Sequence, residues 1–277
     1  MRVFGECVLS RHTAAAAGTA TVPPVLTAAF WGLIQGLTEF LPISSSGHLV
    51  LIPELLGMDE PDLATSALLH VGTLLAVLWY YRSDLARLTH VRSDPEARRI
   101  LALLAIGTIP AAIVGITLDG PIEIVLDEPW IVAVALIVTG LVLAVGLLLT
   151  QGTRRLEQGR PGDAVVVGLA QAFALVPGIS RSGMTITAGI AQGLDRVQAA
   201  RYAFLLAIPA IAGAGLLEGI KLADAGGFEP SLLVGVATAA ISGYVAISFL
   251  IRLLARAGMA PFAAYCIVFG TVAYLLV

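Results

Sequence analysis

Two long apolar runs, 131–150 and 232–254, the second with its few small polar residues, constrain this chain more than any other feature. Each approaches the ~20 residues that a helix needs to cross a hydrocarbon core of about 30 Å. Neither run alternates in the two-residue rhythm of a membrane barrel strand, so helices are expected. The remainder agrees: 13% of the 277 residues are charged and the mean hydropathy is +0.92, against roughly 25% charged in soluble domains. An integral, multi-pass membrane protein follows. The net charge of −3 gives no sign of a nucleic-acid partner, because most charges lie in short loops. Cys7 and Cys266 are ill placed to pair, and no disulfide framework is expected. Residues 1–24, Ala-rich and ending in a double proline, are expected to form a poorly ordered extension rather than a cleaved targeting peptide.

Prolines, glycines and charged turns divide the rest into helical blocks at 25–40, 44–56, 63–82, 97–118, 129–151, 163–176, 180–192, 197–221, 231–255 and 260–277. Two pairs, 25–40 with 44–56 and 163–176 with 180–192, are too short to span. At 1.5 Å per residue, 12 to 16 residues reach roughly 20 Å. Each pair is therefore expected to be a re-entrant hairpin that dips in and returns to the same side.

The two breaks resemble each other. "GLIQGLTEFLPISSSG" from Gly32 lies over "GLAQAFALVPGISRSG" from Gly168, an offset of 136 positions that pairs Gln35 with Gln171, Ser44 with Ser180, Ser46 with Ser182 and Gly47 with Gly183. Pro42 and Pro177 fall one position out of register. An internal duplication accounts for I-S-x-S-G recurring at an equivalent break. Each copy (25–151 and 163–277) then holds one hairpin and three spanning helices, and an odd number of spans inverts the second copy. The expected fold is thus a single all-α polytopic membrane domain over 25–277, an inverted-topology repeat with two re-entrant helix hairpins plus six transmembrane helices. Paired interrupted segments of this kind point to a site at the membrane midplane.

Charge placement orients it. Arg82, Arg87, Arg92, Arg98, Arg99, Arg154, Arg155, Arg160, Arg196, Arg201, Arg252 and Arg256 fall on one side, while loops of the other carry Asp59, Glu60, Asp62, Asp119, Glu123, Asp127 and Glu128. Short cytoplasmic loops are rich in Arg and Lys. Both termini and the first hairpin's entrance are therefore expected on the extracytoplasmic side of the plasma membrane. Arg181 belongs to no loop; it sits at the second break.

The tips collect Gln35, Glu39, Ser44, Ser45, Ser46 and His48 from the first copy and Ser180, Arg181, Ser182 and Thr185 from the second. Ionisable groups at membrane depth cost at least ~2.5 kcal/mol each and mark function by default. This chemistry suits a phosphate. Helices that start after Ser44 and Ser180 aim N–H groups and a positive dipole end at the tips, and Arg181 offers a bidentate fork. A serine hydroxyl donates or attacks, and His48 lies three residues beyond Ser45, within reach for acid or base work. Glu39 and Gln35, four apart, share a helix face. A carboxylate beside phosphate implies a divalent cation, Mg²⁺ foremost with Ca²⁺ as the other choice, or a general base. Structural roles compete with each: Ser44–Ser46 as a cap, Glu39 bonded to a serine, His48 packed, Arg181 paired with Glu39. His70 is equally consistent with interior packing and with support of the site.

"QGLTEFLPISSSGHL" and "PGISRSGMTI", together with "LLHVGTLLAV", "IGTIPAAIVG" and "ARYAFLLAIPAI", resemble the undecaprenyl-diphosphate phosphatase family, also called the bacitracin-resistance protein family. The resemblance covers about 25–277. It implies a membrane enzyme that removes the terminal phosphate from a polyprenyl diphosphate and regenerates the lipid carrier for envelope glycans. By motif, Glu39 matches the family's essential glutamate, His48 its histidine, Ser45 its nucleophilic or phosphate-binding serine and Arg181 its phosphate-binding arginine. Ser44, Ser46, Gly47, Ser180, Ser182, Gly183 and Thr185 would surround the substrate. Gln35 stands where many members have a second glutamate, which leaves a cation site with one carboxylate.

A transporter or lipid flippase is the rival, since inverted repeats with broken helices serve it equally; phosphate release separates the two. The phosphatidic-acid-phosphatase type needs a histidine soon after S-R, and none follows His90. Small residues in "IAGAG" at 211–215 permit close helix packing, as in a homodimer.

Overall fold

The computed structural model describes residues 24–126, 128–150, 152–225 and 229–277. Among them the chain is helical throughout: α1 (Pro24–Phe40), α2 (Ser45–Leu56), α3 (Leu63–Tyr80), α4 (Arg82–Leu88), α5 (Pro95–Leu126), α6 (Pro129–Leu147), α7 (Pro161–Phe173), α8 (Arg181–Ala191), α9 (Arg196–Ala225), α10 (Leu232–Arg256) and α11 (Ala260–Leu276), with a 3-10 turn at Leu156–Gln158. Proline starts α1, α5, α6 and α7, where a missing N–H costs nothing and the fixed φ suits the first turn. The expectation for residues 1–24 falls, apart from Pro24, outside the described residues, as does Cys7. Cys266 is buried and unbridged.

The ten expected helical blocks are all present, with differences at their ends; the block 129–151, for one, stops at Leu147. The block 63–82 ends at Tyr80, and a short α4 follows it. α5 and α9 run on past their expected ends. α7 stops at Phe173, before the expected 176, because Pro177 offers no N–H and disfavours a helical residue ahead of it. Among the described residues four helices are long and apolar enough to cross a membrane: α5 over Pro95–Thr117, α6, α9 over Arg196–Gly215, and α10. Thr65–Tyr80 in α3 and α11 are apolar but shorter.

Packing pairs helices from the two halves of the chain. α1 lies on α10, α7 on α5, α6 on α11 and α3 on α9, while α6 touches α8 and α11 touches α2. Two glycines at equivalent positions allow close approach in two of these pairs. A Cβ on Gly32 would strike the Gly235 carbonyl of α10, and one on Gly168 would sit 2.6 Å from the Gly107 carbonyl of α5.

Arginines and carboxylates lock one end of the bundle. Glu157, almost wholly buried, faces Arg201 at 2.8 Å, Arg155 at 3.4 Å and Arg87 at 3.5 Å. Arg201 also bonds Asp84 of α4, and Arg87 bonds Asp94 and Glu96 at the start of α5. Hydrogen bonds from Arg87 hold the Asp94 carboxyl down at about 2. Arg154 closes the second hairpin, since its guanidinium bonds Asp163 at the start of α7 (2.7 Å) and the Gln192 carbonyl at the end of α8 (2.8 Å). That hairpin therefore begins and ends at one end of the molecule.

Gly168→Ala should lower the melting temperature by the cost of overpacking, about 1–3 kcal/mol, whereas alanine at Gly162, where a Cβ meets open space, should not; thermal unfolding in detergent compares them. Glu157→Gln should cost about 3 kcal/mol, near the lower end for breaking a buried pair because its arginines are partly exposed. Burial pushes the Glu157 carboxyl up, but Arg201 and its neighbours outweigh this and lower it overall. Its contribution is thus complete above the unfolded value of about 4.3 and is lost as pH falls through the lower folded value. Melting curves of the two proteins should converge under strong acid.

Candidate active site

The two proline breaks come together as tips of the α1–α2 and α7–α8 hairpins. Each tip is closed by a serine cap. Ser44 Oγ accepts the Gly47 N–H (3.2 Å) and Ser180 Oγ the Gly183 N–H (3.1 Å). Each cap lies beside the serine two residues on, Ser46 at 3.3 Å and Ser182 at 3.2 Å. These second serines then cross over. Ser182 Oγ donates to the Leu41 carbonyl (3.0 Å), and Ser46 Oγ accepts the Gly178 N–H (3.4 Å). From α6, the Thr139 hydroxyl donates to the Gly178 carbonyl (3.0 Å) and accepts the Ser180 N–H (3.1 Å).

The proline register difference has a backbone consequence. The second tip has one more residue between proline and cap serine, and it turns on Gly178 at φ 87°. The first tip is one residue tighter and turns on Ser44 itself, at φ 69°. A non-glycine residue there stores strain, of order 1–3 kcal/mol, which the cap and the crossed bonds must hold.

Glu39 is the centre of the polar contacts. Its carboxylate accepts the Ser45 hydroxyl at 2.5 Å and the Gln35 amide N–H at 3.1 Å. Arg181 Nη1 stands 3.7 Å from Glu39 Oε1, too far for a hydrogen bond, and is buried without another partner. One hairpin thus supplies carboxylate and hydroxyl, the other an uncommitted guanidinium edge. His70 on α3 couples electrostatically to Glu39 while its Nδ1 is engaged by the Ser66 carbonyl (2.8 Å). The cap serines consume one helix-start N–H at each tip; those of Ser45, Ser46, Arg181 and Ser182 have no acceptor among the described residues.

His48 is held differently from the expectation. Nδ1 lies 2.7 Å from its own cap carbonyl, Ser44 O, and Nε2 lies 2.7 Å from the Tyr265 hydroxyl of α11. A carbonyl only accepts, so Nδ1 carries the proton and neutral Nε2 accepts from Tyr265. The ring stacks near Tyr265 and Phe269. Neither nitrogen is on Ser45. Thr185, also expected at the site, donates back to the Arg181 carbonyl (2.8 Å) yet still lines the cavity beside Glu39, Arg181 and Ser182. That cavity, walled on its far side by Phe204 of α9, measures about 10 Å³, room for roughly one water.

The family model described as "Bacitracin resistance protein BacA" matches residues 28–272. This chain belongs to that family. It is 44% identical over 267 residues to the undecaprenyl-diphosphatase of Geobacter sulfurreducens, covering 91% of this chain and 98% of that protein. The undecaprenyl-diphosphatase of Thermomicrobium roseum is likewise 44% identical, over 272 residues with the same coverage. That of Trichlorobacter lovleyi is 43% identical, covering 89% of this chain and 94% of that one.

In this BacA-family chain the expected cation ligands pass a partial test. Gln35 Oε1 is buried without a partner, while its Nε2 is the atom on the Glu39 carboxylate, so the amide must turn for both oxygens to share a cation. Among the described residues no three His, Cys, Asp or Glu side chains gather to hold a metal. Such a pair fits Mg²⁺, which keeps waters and shares substrate phosphate oxygens rather than taking a full protein cage. Sequence reasoning missed Tyr265 and Thr139. Both sit in apolar helical blocks, where a single hydroxyl reads as a packing residue; their only signal was a polar group within a spanning-length run.

Proposed function

We propose that this chain is a membrane phosphatase that hydrolyses the terminal phosphate of an undecaprenyl-type diphosphate, yielding the lipid monophosphate and inorganic phosphate. One observation carries this: a serine hydroxyl 2.5 Å from a carboxylate that faces an unpartnered arginine. The relatives' shared name, undecaprenyl-diphosphatase, supports the substrate class. None of these names supports a flippase.

In this mechanism Ser45 Oγ attacks the terminal phosphorus as Glu39 takes its proton. An Oγ–P bond forms and the bridging P–O bond breaks; Glu39 passes the proton it took to the departing lipid monophosphate, and the regenerated carboxylate then takes a proton from the water that attacks the phosphoserine and returns it to Ser45 Oγ as inorganic phosphate leaves. Short hydrogen bonds to a carboxylate are strong and directional, so Glu39 rather than His48 is the base for Ser45. Arg181 and the uncommitted N–H groups of Ser45, Ser46, Arg181 and Ser182 bind the phosphate oxygens. Ser44, Ser180, Gly47, Gly183 and Thr185 hold the tips in shape for this. His48, with its proton on Nδ1 and the Tyr265 hydroxyl on Nε2, has none to give the leaving phosphate and instead ties α2 to α11. Glu39 and Gln35 would hold a divalent cation, Mg²⁺ or Ca²⁺, which when bound neutralises diphosphate charge.

We read the hairpins as re-entrant and the halves, 25–151 and 163–277, as an inverted repeat within one membrane domain. The exchanged packing partners, the glycines at Gly32 and Gly168 and the crossed bonds of Ser46 and Ser182 support this. The arginine-rich end then faces the cytoplasm, the termini lie outside, and the diphosphate arrives from the extracytoplasmic side with its tail in lipid. Exposed Ala212 and Gly213 on α9 would allow a homodimer.

Phosphate release from purified protein given a polyprenyl diphosphate is the direct test. Ser45→Ala and Glu39→Gln should each lose at least ~10³-fold in turnover while still binding substrate. Near-normal turnover in Ser45→Ala would assign the attack to water. Chelation should abolish release and Mg²⁺ restore it, and Gln35→Glu, adding a second carboxylate, should lower the Mg²⁺ concentration needed for half-maximal rate. An enzyme indifferent to chelator would remove the cation.

A further inference from the structure

The arginine-rich end holds a second polar constellation that the reaction leaves unused. A cavity of about 580 Å³ opens there between α5 and the turn 158–161 that leads into α7, well within the size range of small-ligand sites. Arg98, Arg99 and Arg160 line it, and no acidic residue does. Some arginines at this end are matched, Arg87 by Asp94 and Glu96, Arg154 by Asp163, Arg201 by Asp84 and Glu157; Arg82, Arg92, Arg196, Arg252 and Arg256 have no carboxylate partner among the described residues, but they are scattered outside this cavity. The three that line the cavity have no carboxylate partner among the described residues. Arg99 reaches only the Glu157 carbonyl, at 3.3 Å.

The helix starts beside the cavity do not explain the arginines. Asp94 already accepts the N–H groups of Glu96 and Ala97, and Asp163 accepts that of Arg160. An anion here would be held by guanidinium groups. Beneath them the lining turns apolar at Ala102, Leu103 and Ile106, within the spanning stretch Pro95–Thr117. Cationic at the first turn and apolar two turns deeper, the cavity follows the polarity of a lipid where headgroup meets acyl chain. Free phosphate has no use for that floor.

We propose that this cavity binds the headgroup of an anionic membrane phospholipid, with Arg98 and Arg160 on its phosphate and the first part of an acyl chain against Ala102 and Ile106. The lipid bridges α5 to α7, the outer arm of the hairpin that carries Arg181, and so stabilises that hairpin from the end opposite its tip. It is separate from the phosphatase site and does not rest on that activity.

Thermal unfolding of the full chain in a neutral detergent tests this, because a ligand of the folded state raises the melting temperature saturably. The probes are dihexanoyl phosphatidylglycerol, dihexanoyl phosphatidylcholine and inorganic phosphate at equal concentrations. Phosphatidylglycerol should raise the midpoint and the other two should not. In Arg98→Gln/Arg160→Gln the apparent affinity for it should fall at least about tenfold, while Arg92→Gln, outside the cavity lining, behaves as wild type. Ala102→Trp, on an exposed face of α5, fills the apolar floor and should weaken binding independently if the double variant folds poorly. An equal response to phosphatidylcholine, or an unweakened response in both cavity variants, overturns the site. A matching response to inorganic phosphate overturns the lipid.

Discussion

Each proline break frees backbone N–H and C=O groups inside a bundle of apolar helices, and every other feature of the site depends on how these are satisfied. Left unpaired, such groups cost several kcal/mol each in a non-polar surrounding. Ser44 and Ser180 cap the helices that follow, and Ser46, Ser182 and Thr139 bind the tip backbones. Because Ser46 and Ser182 reach across, neither tip is complete without the other. The same bonds that solve a backbone problem set the distance between Glu39 and Arg181.

That distance matters because the charges come from opposite hairpins. Had Arg181 closed onto Glu39 in a bidentate pair, both would be neutralised and inert. At 3.7 Å they attract without consuming each other's hydrogen-bonding capacity. Glu39 keeps the Ser45 hydroxyl, and Arg181 keeps a free edge for an anion. At the arginine-rich end the opposite choice is made. Glu157 satisfies several guanidinium groups at once, and the result is a clamp on α4, α5 and α9 rather than a reactive centre.

The tips close tightly on each other, leaving a cavity of about 10 Å³. Phe204, edge-on against Phe40 at 5.5 Å, forms part of its wall. The Arg154 clamp and the Glu157 network hold the hairpin's far end.

Much of this was legible in the amino acids. Apolar run lengths, proline breaks and the repeated I-S-x-S-G motif sufficed to place ten helical blocks and to gather Glu39, Ser45 and Arg181 at two tips, because helix length, capping and the cost of buried charge are local or pairwise properties. Partner choice is not local. The sequence placed His48 three residues from Ser45, but Tyr265, 217 residues away, takes its Nε2. Thr139 and Tyr265 gave no sign in their own apolar segments, since a threonine hydroxyl in a helix bonds its own backbone unless packing presents a better partner, and a tyrosine ring in an apolar helix reads as packing. The chain alone therefore determined which groups the site contains, whereas tertiary packing decided which of them touch, because contact across two hairpins depends on helix approach to within an ångström.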